Sequence, residues 1–586
     1  MRRWFAGGDR TLWVIVGAVA AGAAAILGVL AARGSWYTDD LDFLVDGARG
    51  FSPGALLTPV NDHVVPGLRL VYAVFAAVAP LNYAFTVGVR VVLWAVACVL
   101  MGALAQRLLL RTGPAVLATV LYAFSPVVMP SFMSLSSATN NLPAHVLGLV
   151  FLHLSLDWAR RGRVRDLVGA AVALFGSLLF WEKSGLVALT GLAVVMVAHT
   201  RLGRARVVIP WSLAVLVPGA AFGALFLARR QQGTVDLPDP QTLLSLFGQA
   251  LQRAVLPAVA GGPWSWSPSN PPFFGFADPP AGIRWAGAVV LVLAIGATAA
   301  FGRRYLWFWV AVLLYSVGTT LVVSLGRFST FGNAFTAHYH YWSDLAIPLS
   351  LALAASAACL PVRAGRPLRV VALPVAAAWA CVQLVSMAGF GDLWSRNPAG
   401  AYVASLSADL NERQGTNLWD VSMPGDVVPG INAHRTVAGL LPLLGDNRTT
   451  IQDSGTTPYG VDEHGRVRPA TLKAWGSGVV PPDCGMRIHG SESVRVPLSA
   501  EVPEGQWFAR ISYLANVDTR VRVVLDGDKG AVPLEGGPAV WPAGLANAYL
   551  RAASPSSATA VTISGLDDDA TVCVGSVEVG AVELSK

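Results

Sequence analysis

Long apolar runs, separated by short polar segments, follow one another through the first two thirds of the chain. A helix needs about 20 apolar residues to cross the hydrocarbon core of a bilayer, and these runs approach or exceed that length. The pattern therefore predicts a polytopic α-helical membrane domain over residues 1–388 with about 11 transmembrane helices. The runs lie at 11–32, 83–106, 114–130, 142–158, 167–181, 184–199, 207–227, 284–301, 305–324, 342–360 and 368–388.

Arginine clusters occupy alternate connections between these runs. They precede the first run and recur at 107–111, 160–165, 201–206, 303–304 and 363–369. Lysine and arginine concentrate in loops that face the cytoplasm, so all these connections are predicted to share the cytoplasmic side with the N-terminus. The first run is predicted to be a retained signal-anchor helix, because many spans follow it. An odd number of spans then places the C-terminal part outside the inner or plasma membrane.

Three outer connections, 33–82, 228–283 and 325–341, are too long for simple turns. Loops of this length are usually functional or disordered. The stretch 63–80 is moderately apolar. A span there would move the following arginine clusters to the wrong side, so we expect a helix that lies along the outer surface.

Beyond residue 388 the long apolar runs stop. We expect an extracytoplasmic mixed connecting region at 389–484, with a helical pattern at 402–413, and an extracytoplasmic mainly-β domain at 485–586. Alternating or β-branched segments predict strands, and their spacing is typical of a β-sandwich or jelly roll. The predicted strands lie at 493–498, 507–513, 519–525, 558–563 and 571–579.

Composition agrees with this organisation. The 586 residues are 54% hydrophobic and 13% charged, with a mean hydropathy of +0.54, whereas a soluble protein carries about 25% charged residues. The net charge of +7 comes from the dispersed clusters, so we expect no nucleic-acid partner. Cys484 and Cys573 would suit one disulfide if the C-terminal part lies in an oxidising compartment.

The sharpest candidate for chemistry follows the first predicted helix. Asp39, Asp40 and Asp42 place three carboxylates within four residues. Crowded carboxylates raise at least one pKa, which suits a general base or a divalent-cation site. A solvated acidic loop that marks the outer face is the alternative. His63, in the same connection, could place an imidazole beside these acids, although a lone loop histidine is more often plain surface.

Two further groups of polar residues stand at predicted outer helix ends. Glu182 and Lys183 separate two apolar runs, where charges are costly unless they pair or line a polar cavity; a turn that merely needs polar residues is the alternative. The connection at 325–341 carries Arg327, His338, His340 and Tyr341. Arginine and histidine can hold phosphate. An interfacial aromatic belt explains the tyrosine but not the cationic residues.

This constellation resembles the C-type glycosyltransferase superfamily (GT-C), multispanning enzymes that take sugars from polyprenyl-phosphate carriers. Members have an acidic pair soon after the first helix, matched here by Asp39 and Asp40. Many also have a Lys-Glu pair after the fifth helix, which appears here in reversed order as Glu182 and Lys183. The composition and terminal β-domain look like actinobacterial cell-envelope members, including the arabinofuranosyltransferases.

The resemblance implies an inverting transfer of sugar from a polyprenyl-phosphate donor to a cell-envelope glycan or glycolipid acceptor in the membrane. Asp39 or Asp40 would act as the catalytic base. Lys183, Arg327 and His338 or His340 would stabilise the phosphate, and His63 would orient an acid or contact the phosphate. Some members use a divalent cation, but no diagnostic ligand set appears here, so the metal is unknown.

Two other functions remain open at this point. One is a transporter or lipid-carrier flippase with a glycan-binding outer domain, and the other is a noncatalytic envelope scaffold. Transporters tend to carry ionisable groups near the middle of the membrane. Here the candidate residues gather at predicted outer helix ends, which favours chemistry on a lipid substrate at the membrane surface.

Overall fold

The computed structural model forms two compact units, Met1–Asn397 and Pro398–Lys586. Of residues 366–378 and 380, only the backbone is described. Parts of the arginine clusters, residues 2–3, 201–202 and 363–365, lie outside the described residues. The structure describes Trp4 and residues 10–50, 52–60, 63–198, 203–229, 238–267, 276–360, 366–430, 432–445, 448–454, 456–478, 480–481, 484–536 and 540–585.

The first unit is helical. Short 3₁₀ segments link several of its helices, and a π-helical turn joins α12 to α13. A small antiparallel hairpin pairs β1 (Trp266–Ser267) with β2 (Phe276–Ala277). The helices are α1 (Arg10–Ala32), α2 (Asp39–Ala48), α3 (Pro53–Leu56), α4 (Pro66–Val78), α5 (Tyr83–Leu109), α6 (Thr112–Ala123), α7 (Met129–Met133), α8 (Leu135–Arg161), α9 (Val164–Leu178), α10 (Val187–Val197), α11 (Arg204–Arg229), α12 (Pro240–Ala250), α13 (Leu256–Val259), α14 (Ala281–Phe301), α15 (Leu306–Phe331), α16 (Ala346–Cys359) and α17 (Arg366–Trp394).

Each of the eleven predicted runs contains a helix. Among the described residues, eight helical segments are long and apolar enough to cross a membrane, which makes the chain a multi-pass membrane protein. Helices α9 and α10 are shorter, with 15 and 11 residues. The orientation of the termini stays a prediction.

Close helix packing in this unit depends on small residues. Gly102 of α5 faces both α1 and α6, and a Cβ atom there would lie 2.7 Å from Thr119 Oγ1 and 2.9 Å from Val16 Cγ1. Lipid tails are as apolar as leucine, so membrane helices associate largely through such tight contacts. The result is a continuous buried core through α1, α5, α6 and α8.

The long connections contain structure of their own. Helix α4 confirms that the stretch 63–80 is helical, while its place along the membrane surface stays a prediction. Helix α2 begins at the acidic residues, and α12 and α13 occupy part of 228–283. Of these short helices, α2 and α4 supply side chains to the candidate site.

The second unit begins with helix α18 (Ala399–Glu412), which confirms the helical pattern at 402–413, and also contains α19 (Val437–Leu440). Strands β3 and β4 pair in parallel, and β5 pairs with β6 antiparallel. The strands are β3 (Asn417–Leu418), β4 (Thr450–Ile451), β5 (Gly460–Val461), β6 (Val467–Arg468), β7 (Ala470–Ser477), β8 (Met486–His489), β9 (Val494–Gly505), β10 (Phe508–Ala515), β11 (Arg522–Gly527), β12 (Gly530–Glu535), β13 (Gly544–Ala552), β14 (Ser556–Ser564) and β15 (Thr571–Leu584).

Nine of these strands form one antiparallel sheet in the order β7-β15-β10-β13-β12-β11-β14-β9, with β8 also paired to β15. The sheet rolls into a nearly closed barrel, because Gly478 and Leu498 form a bridge between the ends of the order. The predicted mainly-β domain is confirmed, as one rolled antiparallel sheet, and so is the disulfide between Cys484 and Cys573. The separate boundary expected at residue 484 stays a prediction.

Candidate active site

The acidic residues after α1 form the first turn of α2. The N-cap residue Thr38 has a φ of +42°, in the left-handed region that favours glycine, so the backbone turns sharply into this helix. Carboxylates in the first turn interact favourably with the helix dipole. Asp40 is fully buried, whereas Asp39 is half-buried. Two identical neighbours therefore have different environments.

Asp40 is held by three hydrogen-bond donors. Its Oδ2 accepts from the Tyr37 backbone N–H at 2.9 Å, and its Oδ1 accepts from the Ser136 backbone N–H at 2.8 Å and the Tyr72 hydroxyl at 3.2 Å. Burial raises the pKa of Asp40 to about 6, against the opposing effects of these backbone donors and Arg90. This carboxylate ties α2 to α4 and to the start of α8.

Asp39 instead lies towards the residues of the later loops. It is close enough to Tyr341 for a Coulombic interaction, and Tyr341 is hydrogen-bonded to Arg327. The accessible carboxylate and the predicted cationic group therefore share one region of the first unit. They come from α2, from the end of α15 and from the 3₁₀ segment Tyr339–Leu345.

His63 links two other predicted residues. Its Nε2 lies 2.7 Å from an Arg327 Nη and its Nδ1 lies 3.1 Å from Glu182 Oε2. A guanidinium group can only donate, so Nε2 must accept and Nδ1–H donates to Glu182. The backbone N–H of Val64 donates to the other Glu182 oxygen at 2.8 Å. The site therefore fixes both the imidazole tautomer and its orientation.

Lys183 has a buried environment beside this cluster. Its Nζ donates to Asp344 and, at 2.6 Å, to the Tyr315 hydroxyl, and it lies 4.5 Å from the centre of the Trp181 ring. Burial lowers the pKa of Lys183, and the charge of Asp344 works in the opposite direction. The ammonium charge is balanced within the protein. This ion pair fixes the turn that presents Glu182.

The two predicted histidines pack against different aromatic rings. His340 is half-buried, with ring centres 5.5 Å from Trp181 and 4.5 Å from Tyr341, so it borders the His63 cluster. His338 is buried and packs its ring 5.2 Å from that of Phe276. The two imidazole rings lie next to each other, with centres 5.3 Å apart.

No protein-family model matches the sequence, and no curated protein matches it. Several solved structures are similar, and they include three of mycobacterial enzymes. The chain is 14% identical to arabinofuranosyltransferase AftD from mycobacteria (TM-score 0.37; 97% of this chain and 60% of that chain), and 12% identical to a mutant form of the same enzyme (TM-score 0.37; 99% and 63%). It is 13% identical to arabinosyltransferase EmbB from Mycobacterium smegmatis (TM-score 0.30; 97% and 64%).

The sequence resemblance stated above also included arabinofuranosyltransferases. The chain spans about three fifths of the length of these enzymes. With TM-scores below 0.5 the likeness is distant. The function proposed below therefore rests on the geometry of the site.

The structure brings together Asp39, His63, Glu182, Arg327 and Tyr341, with His340 at the edge. Sequence reasoning missed the buried residues that support them. Lone charged residues in or beside apolar runs could have identified two of these, because charges there are usually paired or functional. The missed supporting residues are Tyr72, Arg90, Ser136, Tyr315 and Asp344.

Within the described part of the chain, no group of three or more His, Cys, Asp or Glu side chains is arranged to hold a metal ion.

Proposed function

We propose that the protein is a membrane glycosyltransferase that moves a sugar from a polyprenyl-phosphate donor to a cell-envelope glycan or glycolipid acceptor. The reaction takes place at the extracytoplasmic face and inverts the anomeric centre. The observation that carries this proposal is the half-buried carboxylate of Asp39, which shares one region with the Arg327–His63–Glu182 cluster. A base and a phosphate-binding cation are the two groups that such a displacement needs.

Asp39 is the general base in this proposal. It takes the proton from an acceptor hydroxyl while that oxygen forms a bond to the anomeric carbon. The bond from the anomeric carbon to the phosphate oxygen breaks, and the polyprenyl phosphate leaves with the electron pair. Asp40 serves as a positioning residue, because its two oxygens already accept three hydrogen bonds inside the fold.

Arg327 holds the leaving phosphate. Its guanidinium group has five N–H donors in a planar fork that suits phosphate oxygens. His63 and Tyr341 orient that fork. Glu182 in turn fixes His63, so the cation is in place before the substrate arrives, and such preorganisation lowers the cost of stabilising the developing charge.

Lys183 acts on the site indirectly. Its pairing with Asp344 neutralises its charge, and it supports the turn that contains Trp181 and Glu182. His340 borders the phosphate region, and the buried His338 packs behind it. The proposed partners are the lipid-linked donor, the acceptor and membrane lipid. A transporter is less well supported, since the residues of this site lie at helix ends.

The test is sugar transfer by purified protein from a panel of radiolabelled polyprenyl-phosphate sugars. Loss of a general base typically costs about 10²- to 10⁴-fold in rate, and we expect a loss in this range for Asp39→Asn with unchanged thermal unfolding. Asp46→Asn is the matched control, because Asp46 lies on the same helix and pairs with Arg69 at 3.4 Å. Full activity of Asp39→Asn would remove the proposed base.

A further inference from the structure

A cavity of about 510 Å³ lies between the end of α5, the connection from α14 to α15 and the end of α16. Its polar lining includes Arg111, Arg303 and Arg304, and its apolar lining includes Leu109, Phe301 and Cys359. None of these residues belongs to the candidate active site. The cavity is large enough for a small ligand group.

This cavity lies at the opposite end of the helical bundle. Arg304 precedes the first residue of α15, and Arg327 lies near the end of the same helix. The two residues are 23 positions apart, which corresponds to about 35 Å at 1.5 Å per residue. That length matches the roughly 30 Å hydrocarbon core of a bilayer. The cavity therefore opens at the other membrane interface, which is the cytoplasmic one in the predicted topology.

The three arginines are held at the cavity by specific bonds. Arg111 donates to the Ala358 carbonyl at 2.5 Å, and Arg303 donates to the Ala299 carbonyl at 3.4 Å. Arg304 donates to the Tyr305 hydroxyl at 2.6 Å and lies over that ring at 4.5 Å. Among the described residues that line the cavity there is no aspartate or glutamate. Converging cations in a cleft focus a positive potential that attracts an anion.

The rest of the lining is apolar and borders the membrane. Phe301 is 60% exposed, and Leu110 and Leu360, at the ends of the same elements, are 68% and 40% exposed. Gly302 approaches α16 so closely that a Cβ atom there would lie 2.0 Å from Cys359 Sγ. A water-soluble phosphate compound would gain nothing from these exposed apolar side chains, whereas an acyl chain would cover them.

We propose that this cavity binds the phosphate headgroup of an anionic phospholipid, with an acyl chain lying along the exposed side chains of Phe301 and its neighbours. Arginine suits this ligand because its fork donates to two phosphate oxygens at once. Lipid headgroup sites of this kind combine basic residues with adjoining apolar helix surface. The inference does not depend on the reaction at the other end of the bundle.

The test uses the full-length protein in a neutral detergent, with binding measured by native mass spectrometry. The probes are phosphatidylglycerol, phosphatidylcholine and inorganic phosphate. Each juxtamembrane arginine contributes about fivefold in affinity, so we expect about 25-fold weaker phosphatidylglycerol binding for Arg303→Gln/Arg304→Gln. Arg111→Gln, on a different element, should lose about fivefold.

The matched control is Arg163→Gln/Arg165→Gln, which removes the same charge from the residue before α9 and from its first turn, at the same end of the bundle. It should keep phosphatidylglycerol affinity within about twofold, and phosphatidylcholine binding should be unchanged in every variant. An equal loss of phosphatidylglycerol affinity in the control would show that the lipid is attracted by positive charge in general, and this would overturn the proposal. Competition by inorganic phosphate alone at equal concentration would assign the cavity to a water-soluble phosphate compound instead.

Discussion

Asp39 and Asp40 show how far neighbouring residues can differ. The chain turns at Thr38, and the following helix directs one carboxylate into the protein and leaves the other half-buried. Because adjacent helical residues point about 100° apart, only one of them can face the core at this point. The acidic pair was visible in the sequence, but the division of roles depended on donors from α4 and α8.

The raised pKa of Asp40 predicts a pH-dependent stability. The folded protein binds this proton more tightly than the unfolded chain, so its stabilising contribution is fully present below pH 3.8 and is lost as pH rises through about 6. The loss should approach about 3 kcal/mol, and thermal unfolding of wild-type protein and Asp40→Asn between pH 4 and 7 measures it. Asp46→Asn should keep the wild-type pH dependence; a similar dependence in Asp40→Asn would contradict the assignment.

The buried pair of Lys183 and Asp344 predicts strong coupling. Lys183→Met leaves a buried carboxylate without its partner, and removal of one member of such a pair costs about 3–5 kcal/mol. Lys183→Met combined with Asp344→Asn should cost less than the sum of the single changes. Thermal unfolding of the four proteins in a double-mutant cycle measures this coupling. Additive effects would show that the two charges do not depend on each other.

Among the elements, the break between α6 and α8 was the least predictable from the sequence. The apolar run at 114–130 divides into α6, a 3₁₀ turn and α7, and α8 begins at Leu135, before the apolar run that predicted it. The stretch 131–141 looks too polar to be buried. Two of its side chains nevertheless bond locally, since Thr139 donates to the Leu135 carbonyl and Asn141 to the Ser137 carbonyl. A helix whose buried side chains are polar and bond to their own backbone has no apolar run in its sequence, so the sequence pattern does not predict it.

Arg90 of α5 stabilises this break. Its guanidinium group donates to the carbonyls of Phe132 and Met133 at 3.0 and 2.5 Å, at the end of α7. Arg90→Leu would leave these buried acceptors unsatisfied, at a cost of about 1–3 kcal/mol each. We expect a lower unfolding temperature and reduced sugar transfer, because the start of α8 also donates to Asp40 through Ser136.

Arg165→Leu is the control for Arg90→Leu, since Arg165 is 65% exposed at its side chain and should leave the unfolding temperature unchanged. Equal stability of the two variants would show that α7 does not depend on Arg90.

The strands show the same limit on prediction. The five predicted strands are present, but β7, β8, β12 and β13 were missed. Strand β13, with the sequence GLANAYLRA, is rich in small residues and lacks a clear alternation. It forms because β10 pairs with it along eight residues, and such long-range pairing is invisible in the local sequence.

For the whole molecule, the apolar runs predicted the membrane helices well, because the bilayer imposes length and polarity on each element separately. The candidate site was only partly predictable. His63, Glu182 and Arg327 are separated by more than a hundred residues along the chain, and nothing local indicates that one imidazole bridges the other two. The sequence could nominate these loop residues as members of the site. Their hydrogen-bond partners could be identified only from the packing of the helices.

The disulfide gives a prediction for the second unit. It joins residues 89 positions apart and attaches the segment before β8 to β15. Cys484→Ser/Cys573→Ser should lower the stability of this unit by about 2–4 kcal/mol, because the unfolded chain regains the freedom of a long loop. Gel mobility with and without reductant, together with maleimide labelling, tests the bond. Identical mobility and labelling of both thiols in wild-type protein would exclude it.

The rolled sheet of the second unit also affects how separate molecules meet. An open antiparallel sheet offers two rows of unpaired amide and carbonyl groups to any neighbouring chain. Here the outermost strands approach each other, with Trp475 Nε1 donating to the Glu501 carbonyl and the Ser477 N–H donating to Ser499 Oγ. Side chains thus form hydrogen bonds with backbone groups that could otherwise pair with a strand of another molecule. Molecules crowded side by side in a membrane are thereby protected from strand-mediated aggregation.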